Sequence, residues 1–462
     1  HPGDLYNQHF SLSLPDQPGL YYPDGQIRDE VYVYASFMMS SMGHAGVTCM
    51  DCHDPHTNAN ILPVANNSLC QRCHESGLDN APIINPVEHS HHAAGSTGNQ
   101  CVECHMPHTT YMQRDPRRDH GFLSPDPLLT RELGIPNACN SCHTDESVDW
   151  AVEWSEKWYG DKLAEKIQRK RARALSAAYA YEPGGSAALL TLIEEDVNRP
   201  WRATYTGLLT AYLNEPGVIE YLESALKDES SMVRSRAIRA LGNIPQALGF
   251  IAPSLEDPSR NVRIEAERVF SASGTPIPNE KAAAEWQAYL EFHGDRVDGA
   301  FLLAQEAIRK GQAEEAKRLI TQAVSYDERA GGVRVQAAVL FSQLGDSAAA
   351  ESELESALLY DPRNAYPHFS LGLLKWEQGA MDESITYFNN AVQLDPAFSR
   401  AWYNLGLAYS KVGRWIEARN ALQGAARDMA QDPNWQQAYI AVERQLQMQQ
   451  QSAPQNTDPN RQ

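Results

Sequence analysis

The stretch CMDCHDPH, from Cys49 to His56, places two cysteines three residues apart, a histidine directly after the second, and another histidine three residues later. The same C-x-x-C-H unit occurs four times, and together the units use all eight cysteines of the chain. The cysteine pairs are Cys49/Cys52, Cys70/Cys73, Cys101/Cys104 and Cys139/Cys142, and the histidines that follow them, here called the motif histidines, are His53, His74, His105 and His143. A repeated unit of two thiols and one imidazole therefore organises the first third of the chain.

The spacing within this unit has a chemical explanation. Two thiols three residues apart reach the two vinyl groups of one haem as thioethers, and the adjacent imidazole then lies beneath the iron. C-x-x-C pairs also build zinc sites, thioredoxin-like redox pairs and disulfides, but none of these needs a histidine after every second cysteine. The sequence therefore predicts four haem c groups, with the eight cysteines as thioethers and the motif histidines as proximal iron ligands.

The composition limits the class of protein. A chain of 462 residues with 42% hydrophobic content can form two or three packed units. The formal net charge of −20 argues against nucleic acid or an anionic membrane as the main partner. No window approaches the roughly 18 apolar residues of a membrane span. Because c-type haem is attached after secretion, we expect an exported protein, periplasmic or extracellular. The start at His1 rather than Met is compatible with processing.

The second histidine of CHDPH raises a question of geometry. On a helical turn, His53 and His56 point to the same side, whereas the two axial ligands of an iron approach from opposite faces. If His56 is a ligand, it therefore serves a neighbouring haem. The pattern recurs at His105 and His108, and the alternative for each second histidine is a solvated loop position after proline.

The supply of histidine distinguishes two chemistries. Besides the motif histidines, nine of the 15 histidines precede residue 121, enough to give every iron a second imidazole. An iron with two imidazoles is suited to passing single electrons, whereas a catalytic haem keeps one face open. The histidine count therefore favours electron transfer.

Residues 20–160 carry several longer segments that can be compared with known proteins. They are DGQIRDEVYVY (24–34), GVTCMDCHDPH (46–56), HSHHAAGSTGNQCVECHMP (89–107), TYMQRDPRRDH (110–120) and PNACNSCH (136–143). These segments resemble the multihaem c-type cytochromes with doubled C-x-x-C-H motifs, in particular a bacterial group in which helical repeats follow the haem region. The resemblance implies distal iron ligands at His56, His89, His92 and His120. His9, His44 and His91 are the alternatives for these positions.

Residues 1–150 are acidic and rich in turns. They contain six Arg, no Lys and 18 Asp or Glu, a net charge of −12. Arg114, Arg117 and Arg118 are candidates for contacts with haem propionates, because guanidinium binds carboxylate through two hydrogen bonds; surface ion pairs are the alternative. Frequent Pro and Gly predict little regular structure beyond a short helix at each haem motif, with the haems forming most of the core.

The rest of the chain shows two kinds of helical repeat. LKDESSMVRSRAIRALG (226–242) aligns with LEDPSRNVRIEAERVFS (255–271) at a period of 29, and IEEDVNRPWRATYTGLL (193–209) is a degenerate earlier copy. These copies resemble HEAT-type helical pairs. Further along, Gly311, Gly345, Gly379 and Gly413 recur with a period of 34, as do Ala323, Ala357, Ala391 and Ala425, and this is the period of tetratricopeptide repeats.

These observations predict a mainly α protein in four segments. Residues 1–150 form a loop-rich tetrahaem cytochrome c domain with an extended N-terminal arm, 151–275 HEAT-like repeats, 276–447 tetratricopeptide repeats, and 448–462 a disordered tail. The two repeat segments together form an α-solenoid.

Electron transfer through four mostly or wholly bis-histidine haems is the leading function, which makes the protein an electron carrier rather than an enzyme. The alternative is a multihaem reductase of a small nitrogen or sulfur oxyanion with one open haem. A third interpretation makes the repeats the principal part and the haems a redox sensor or structural core. We expect redox proteins as partners and a protein partner on the repeats. Further copies of the chain are a third kind of partner, reached by residues 1–25 through His1 or His9 in a filament joined by haem contacts.

Overall fold

The computed structural model describes residues 3, 6–111 and 114–452 and is mainly α, as predicted. The chain divides into two compact units, His1–Ala283 and Ala284–Gln462. The predicted boundary at residue 150 does not separate two units, because the haem-motif segment and the HEAT-like helices lie together in the first. In the described part of the chain, no helix is long and apolar enough to cross a membrane.

Residues 1–150 contain short helices and one small hairpin. The helices are α1 (Val33–Met39), α2 (Ser41–His44), α3 (Ser68–His74), α4 (Pro86–Ser90), α5 (Cys101–His105), α6 (Pro127–Leu133) and α7 (Ala138–Cys142). Strands β1 (His108–Tyr111) and β2 (Asp115–Arg118) pair antiparallel, with His108 opposite Arg118. The hairpin was not predicted from the sequence, whereas a short helix at each haem motif was.

Longer helices complete the first unit. They are α8 (Val148–Glu165), α9 (Ile167–Tyr179), α10 (Gly185–Glu195), α11 (Arg199–Leu208), α12 (Val218–Ala225), α13 (Ser231–Leu241), α14 (Leu248–Ile251) and α15 (Arg260–Ala272). The interval between the first residues of α13 and α15 equals the period of the aligned sequence segments.

A row of ion pairs joins consecutive HEAT-like repeats. Arg171 pairs with Asp196 at 2.6 Å, and Arg202 with Asp228. Arg234 binds both carboxylate oxygens of Asp257, at 2.7 and 2.8 Å. The aspartates are those that precede the second helix of each aligned copy, so Asp196 marks the degenerate copy as a structural repeat.

The N-terminal arm lies along these helices. Leu14 and Tyr21 are buried in the same core as α11, α13 and α15. Asp16 forms a buried ion pair with Arg236 at 2.6 Å, and the Tyr179 hydroxyl donates to the Pro15 carbonyl at 2.6 Å. The arm was predicted to reach a neighbouring copy, but the structure places it on the chain's own repeats because its apolar residues complete the HEAT-like core. His1 lies outside the described residues.

The second unit consists of stacked helical pairs. Its helices are α16 (Glu280–His293), which includes the boundary between the units, α17 (Val297–Arg309), α18 (Ala313–Tyr326), α19 (Gly331–Gln343), α20 (Ser347–Tyr360), α21 (Ala365–Glu377), α22 (Met381–Leu394), α23 (Ser399–Lys411), α24 (Trp415–Met429) and α25 (Pro433–Ser452).

The regular spacing of glycine and alanine in this unit has a structural cause. The four repeating glycines follow the first helix of each pair with φ of 70–77°, a backbone conformation that a side chain disfavours. The four repeating alanines are fully buried, where a small side chain lets the helices approach closely. The chain is still helical at the start of the segment predicted to be a disordered tail, since α25 continues to Ser452; residues 453–462 lie outside the described residues.

Candidate haem sites

The first and fourth C-x-x-C-H units are held by local polar contacts. The first lies on a 3-10 helix, Cys49–Asp51, whose Asp51 accepts hydrogen bonds from the backbone and hydroxyl of Thr48 at 2.8 and 2.9 Å. The fourth lies on α7, which begins after Asn137; the Asn137 side chain accepts from the Asn140 backbone N–H at 3.0 Å. Side-chain caps of this kind satisfy backbone N–H groups at the start of a helix. The short helices therefore form without a large apolar core beneath them.

The four motifs contact one another in chain order. Arg72, in the second motif, donates to the Asp51 carbonyl of the first at 3.0 Å. The nearby Cys101 thiol of the third motif, together with burial, raises the pKa of the Cys70 thiol of the second. In the third motif, burial, reinforced by the nearby thiols of the fourth, raises the pKa of Cys104 to about 11. Neighbouring motifs are thus close enough that cofactors attached to them would lie near each other.

The eight cysteines that were predicted to form haem thioethers are all among the described residues, and none is joined to another in a disulfide. Two of them are exposed and six are partly buried; the exposed ones are Cys49 and Cys142, and the partly buried ones are Cys52, Cys70, Cys73, Cys101, Cys104 and Cys139. Burial raises the pKa of Cys52, and the nearby Asp51 carboxylate and the Cys73 thiol of the second motif add to the rise. The second cysteines of the first two motifs therefore lie near each other. Thioether bonds from all eight, Cys73 included, remain a prediction.

Histidine rings pair across the motifs. Among the described residues, three ring pairs each join one motif histidine to a histidine elsewhere in the chain, and none joins two motif histidines. The ring centroids are 6.4 Å apart in the pair His53/His120, 6.1 Å in His105/His89 and 6.1 Å in His143/His92. Two imidazoles on one metal ion require a similar separation, because each metal–nitrogen bond is about 2 Å long.

A hydrogen bond at Nδ1 orients most of the paired histidine rings, and also the ring of His74. The Nδ1 atoms of His53, His74, His105, His92 and His120 lie 2.6–3.2 Å from backbone carbonyl oxygens. A carbonyl can only accept, so Nδ1 carries the proton and Nε2 is left as the metal-binding nitrogen. Desolvation lowers the pKa of His105 and of His120, which favours the neutral ring that binds a metal.

His74 differs from the other motif histidines. In the described ranges, none of the histidine ring pairs includes it, although its Nδ1 faces the Pro82 carbonyl at 2.8 Å. His56, expected from the resemblance to be a distal ligand, is exposed on the loop after the first motif. The reserve candidates His9 and His44 are also exposed. Among the described residues, none of the three ring pairs with a motif histidine includes His44 or His56.

The arginine cluster divides among protein acceptors. Arg117 forms ion pairs with Glu30 at 3.0 Å and Asp115 at 2.7 Å. Arg118 pairs with Glu103 at 2.6 Å and donates to the carbonyls of Val102 and Met106 at 3.1 and 3.0 Å, which ties β2 to the third motif. Arg114 is exposed. Contacts with haem propionates remain a prediction for all three.

The interior around the motifs fits a bound cofactor. Among the described residues between 40 and 126, Val102 alone is a buried hydrophobic side chain. No three His, Cys, Asp or Glu side chains of the described residues could hold one metal ion together. Paired imidazoles beside paired thiols, with almost no apolar core between them, are the donor set that covalently bound haem needs.

Sequence reasoning missed the aromatic face of α8. Trp150 lies 4.9 Å from the His143 ring, and Trp158 lies 4.2 Å from that of His91, between ring centroids. The signal was present in WAVEWSEKWYG, where Trp150, Trp154 and Trp158 recur every fourth residue. This spacing places them on one side of a helix.

Comparison with known families agrees with this organisation. Residues 42–119 match the cytochrome c3 family. Residues 186–271 match HEAT repeats, and residues 335–397 and 375–439 match tetratricopeptide repeats. The chain thus combines a cytochrome c3 region, which implies multihaem electron transfer, with HEAT repeats and tetratricopeptide repeats, which suggest binding to another protein.

Similarity to individual proteins covers only parts of this chain. Tetratricopeptide repeat protein 37 of Xenopus laevis is 33% identical over 23% of this chain and 7% of its own length. The uncharacterized protein MJ0572 of Methanocaldococcus jannaschii is 33% identical over 12% of this chain and 66% of its own length. Among solved structures, MamA (TM-score 0.30, 18% identity) aligns over 37% of this chain and 96% of its own. The protein TTC0263 of Thermus thermophilus (TM-score 0.31, 19% identity) aligns over 45% of this chain and 98% of its own.

Proposed function

We propose that the N-terminal region holds four c-type haems and relays single electrons between redox proteins. The observation that carries this proposal is the pairing of His53, His105 and His143 with three histidines from elsewhere in the chain. Bound haem supplies an iron that gains or loses one electron. Two imidazoles on one iron leave no position for a substrate, and that favours electron transfer over catalysis.

Each group of residues has a separate task in this proposal. The cysteine pairs bind the haems covalently, and the motif histidines are the proximal ligands. His120, His89 and His92 are proposed as distal ligands of the haems of the first, third and fourth motifs. The backbone carbonyls at Nδ1 keep the rings of His120 and His92 directed towards the metal. The sequential contacts between motifs support a relay in chain order.

The haem of the second motif has two possible arrangements, one with a distal ligand and one with an open position. We propose that His56 is the distal ligand for the haem of His74, because the Arg72–Asp51 hydrogen bond holds the first two motifs together and His56 follows the first. The second candidate function is a reductase whose open haem is that of the second motif. This reductase is favoured by one observation: among the described residues, the ring of His74 is not paired with another histidine ring.

Carbon monoxide distinguishes the two functions. It binds reduced iron that has an open position, so a protein in which every iron has two imidazoles shows little change in its absorption spectrum. A response from one haem in four supports the reductase. The variant His56→Ala is expected to create such a response in a relay, whereas His108→Ala, with the same C-H-x-P-H spacing, is the matched control and leaves the spectrum unchanged.

The setting of the protein is also a proposal. Covalent haem attachment outside the cytoplasm supports an exported protein, in the periplasm or beyond the cell. The tetratricopeptide repeats are proposed to bind a protein partner that supplies or accepts electrons. Because Leu14, Asp16 and Tyr21 bind the chain's own HEAT-like helices, the proposal does not extend to a filament joined through the arm.

A further inference from the structure

His91 lies between two histidines that face different motifs. His89 pairs with His105, and His92, three residues later, pairs with His143. Residues three apart on a continuous helix lie on one face, so the backbone has to change direction between them. Helix α4 ends at Ser90, and His91 adopts the left-handed conformation with φ 58° and ψ 23°. The turn at His91 therefore allows the side chains of His89 and His92 to point to different motifs.

The His91 ring is held by helix α8. Its centroid lies 4.2 Å from that of Trp158, with 16° between the ring planes. This is direct ring contact, unlike the separations of 6.1–6.4 Å in the three histidine pairs. Trp158 is itself packed against Trp154 at 5.1 Å, and the Lys157 ammonium lies 4.3 Å from the Trp154 ring centroid. The turn is therefore fixed to one side of a long helix.

The same helix contacts both of the neighbouring histidine pairs. The Tyr159 hydroxyl donates to the His89 carbonyl, and the two rings lie 5.7 Å apart. One end of the helix reaches the other pair, where the Trp150 ring lies 4.9 Å from that of His143. At the second pair, a Cβ at Gly98 would overlap the His92 ring, so the backbone also holds that ring in place. Helix α8 is therefore a wall shared by two candidate haem sites.

We propose that His91 is a positioning residue and not an iron ligand. Its stack on Trp158 fixes the turn against α8, so that His89 and His92 each reach a different iron. The inference rests on the proposed function for the presence of haem at these two sites. According to this inference, helix α8 positions the distal histidines of both the third and the fourth haem.

The test compares variants of His91 that distinguish the role of its aromatic ring from that of its metal-binding nitrogen. His91→Phe keeps an aromatic face for Trp158 but removes the nitrogen; His91→Asn tolerates the left-handed backbone but removes the stack. Electron paramagnetic resonance of the oxidised protein reads the geometry of each iron, and mass spectrometry counts the haems. We expect His91→Phe to retain four haems with wild-type low-spin signals. His91→Asn and Trp158→Leu should retain four haems and shift the same two signals.

The combined variant adds a second test. His91→Asn with Trp158→Leu should shift these signals no further than either change alone, because both remove one contact. Trp158→Phe should restore the wild-type signals, a rescue that a general loss of stability would not give. Trp435→Leu, which breaks the Trp435/Tyr439 stack in the second unit, is the control for destabilisation and should leave all four signals unchanged.

Two outcomes would overturn the inference. A high-spin signal in His91→Phe would identify His91 as a ligand. Wild-type signals in both His91→Asn and Trp158→Leu would show that the stack does not position the neighbouring ligands. Failure of the proposed function is distinguishable, since it would appear as missing haem in the wild-type protein before any substitution.

Discussion

The haem-motif segment and the tetratricopeptide unit are stabilised in opposite ways. Between residues 40 and 126, Val102 is the single buried hydrophobic side chain of the described residues, whereas the second unit buries many, with Phe301 and Leu371 in one cluster and Phe388 in another. The first region is held by caps and short hydrogen bonds such as that from Asn67 to the Asn99 carbonyl, 2.8 Å. Local polar contacts therefore specify the first region, and buried apolar side chains specify the second.

The largest test of this contrast is removal of haem. Chain produced without haem attachment should lose hydrogen-exchange protection across residues 40–128, because binding energy there takes the place of an apolar core. Residues 297–429 should keep their protection. Exchange measured peptide by peptide gives both results in one experiment. Equal protection of residues 40–128 with and without haem would show that haem does not stabilise this region.

The second test acts on the apolar unit. Phe388 is fully buried and packs so closely on Gly372 that a Cβ there would lie 2.6 Å from its ring. Phe388→Ala should lower the free energy of unfolding of this unit by about 3–5 kcal/mol through lost contacts and a cavity. Urea unfolding followed by circular dichroism measures the loss, with Phe388→Leu as the milder control. A change in the haem spectrum would contradict the independence of the two regions.

The contrast also explains what the sequence could predict. The C-x-x-C-H units are readable because thioether attachment demands a fixed local spacing, and the tetratricopeptide repeats because a glycine and an alanine recur with a period of 34. The pairing of His53 with His120 depends on tertiary structure between distant segments, and only the family resemblance indicated His120. The docking of Leu12 and Leu14 could not be predicted, since extended chain shows no helical period to mark its buried side.

A third test uses a buried charge in the first unit. Burial raises the pKa of Asp24 to about 6, and the nearby Asp119 carboxylate adds to the shift. An aspartate in the unfolded chain has a pKa of about 3.9, so the folded state binds the proton more tightly. The stability contribution of Asp24 is therefore full below about pH 4 and is lost as the pH rises to about 6.

The variant Asp24→Asn isolates this contribution. One pKa unit corresponds to about 1.4 kcal/mol, so the difference in unfolding free energy between variant and wild type should move by about 2 kcal/mol in favour of the variant between pH 4 and pH 7. Chemical unfolding of the first unit at several pH values measures it. A constant difference across this range would show that Asp24 keeps an ordinary pKa.

The smallest test compares two glycines in equivalent local positions. Gly134 follows α6 with φ of 70°, Gly413 follows α23 with φ of 77°, and neither has an atom within 4 Å of the position a Cβ would take. Alanine at either position should therefore lower the free energy of unfolding only through its strained backbone conformation, by about 1 kcal/mol.

Gly413→Ala should lower the unfolding free energy of the second unit alone. Gly134→Ala should act on the first unit, where bound haem adds to stability and the same local cost is a smaller fraction of the total. Thermal unfolding, followed by haem absorption and by helix signal in parallel, separates the two. A shift of the haem transition by Gly413→Ala would mean that the two units unfold together, and the contrast between them would then describe local packing rather than independent stability.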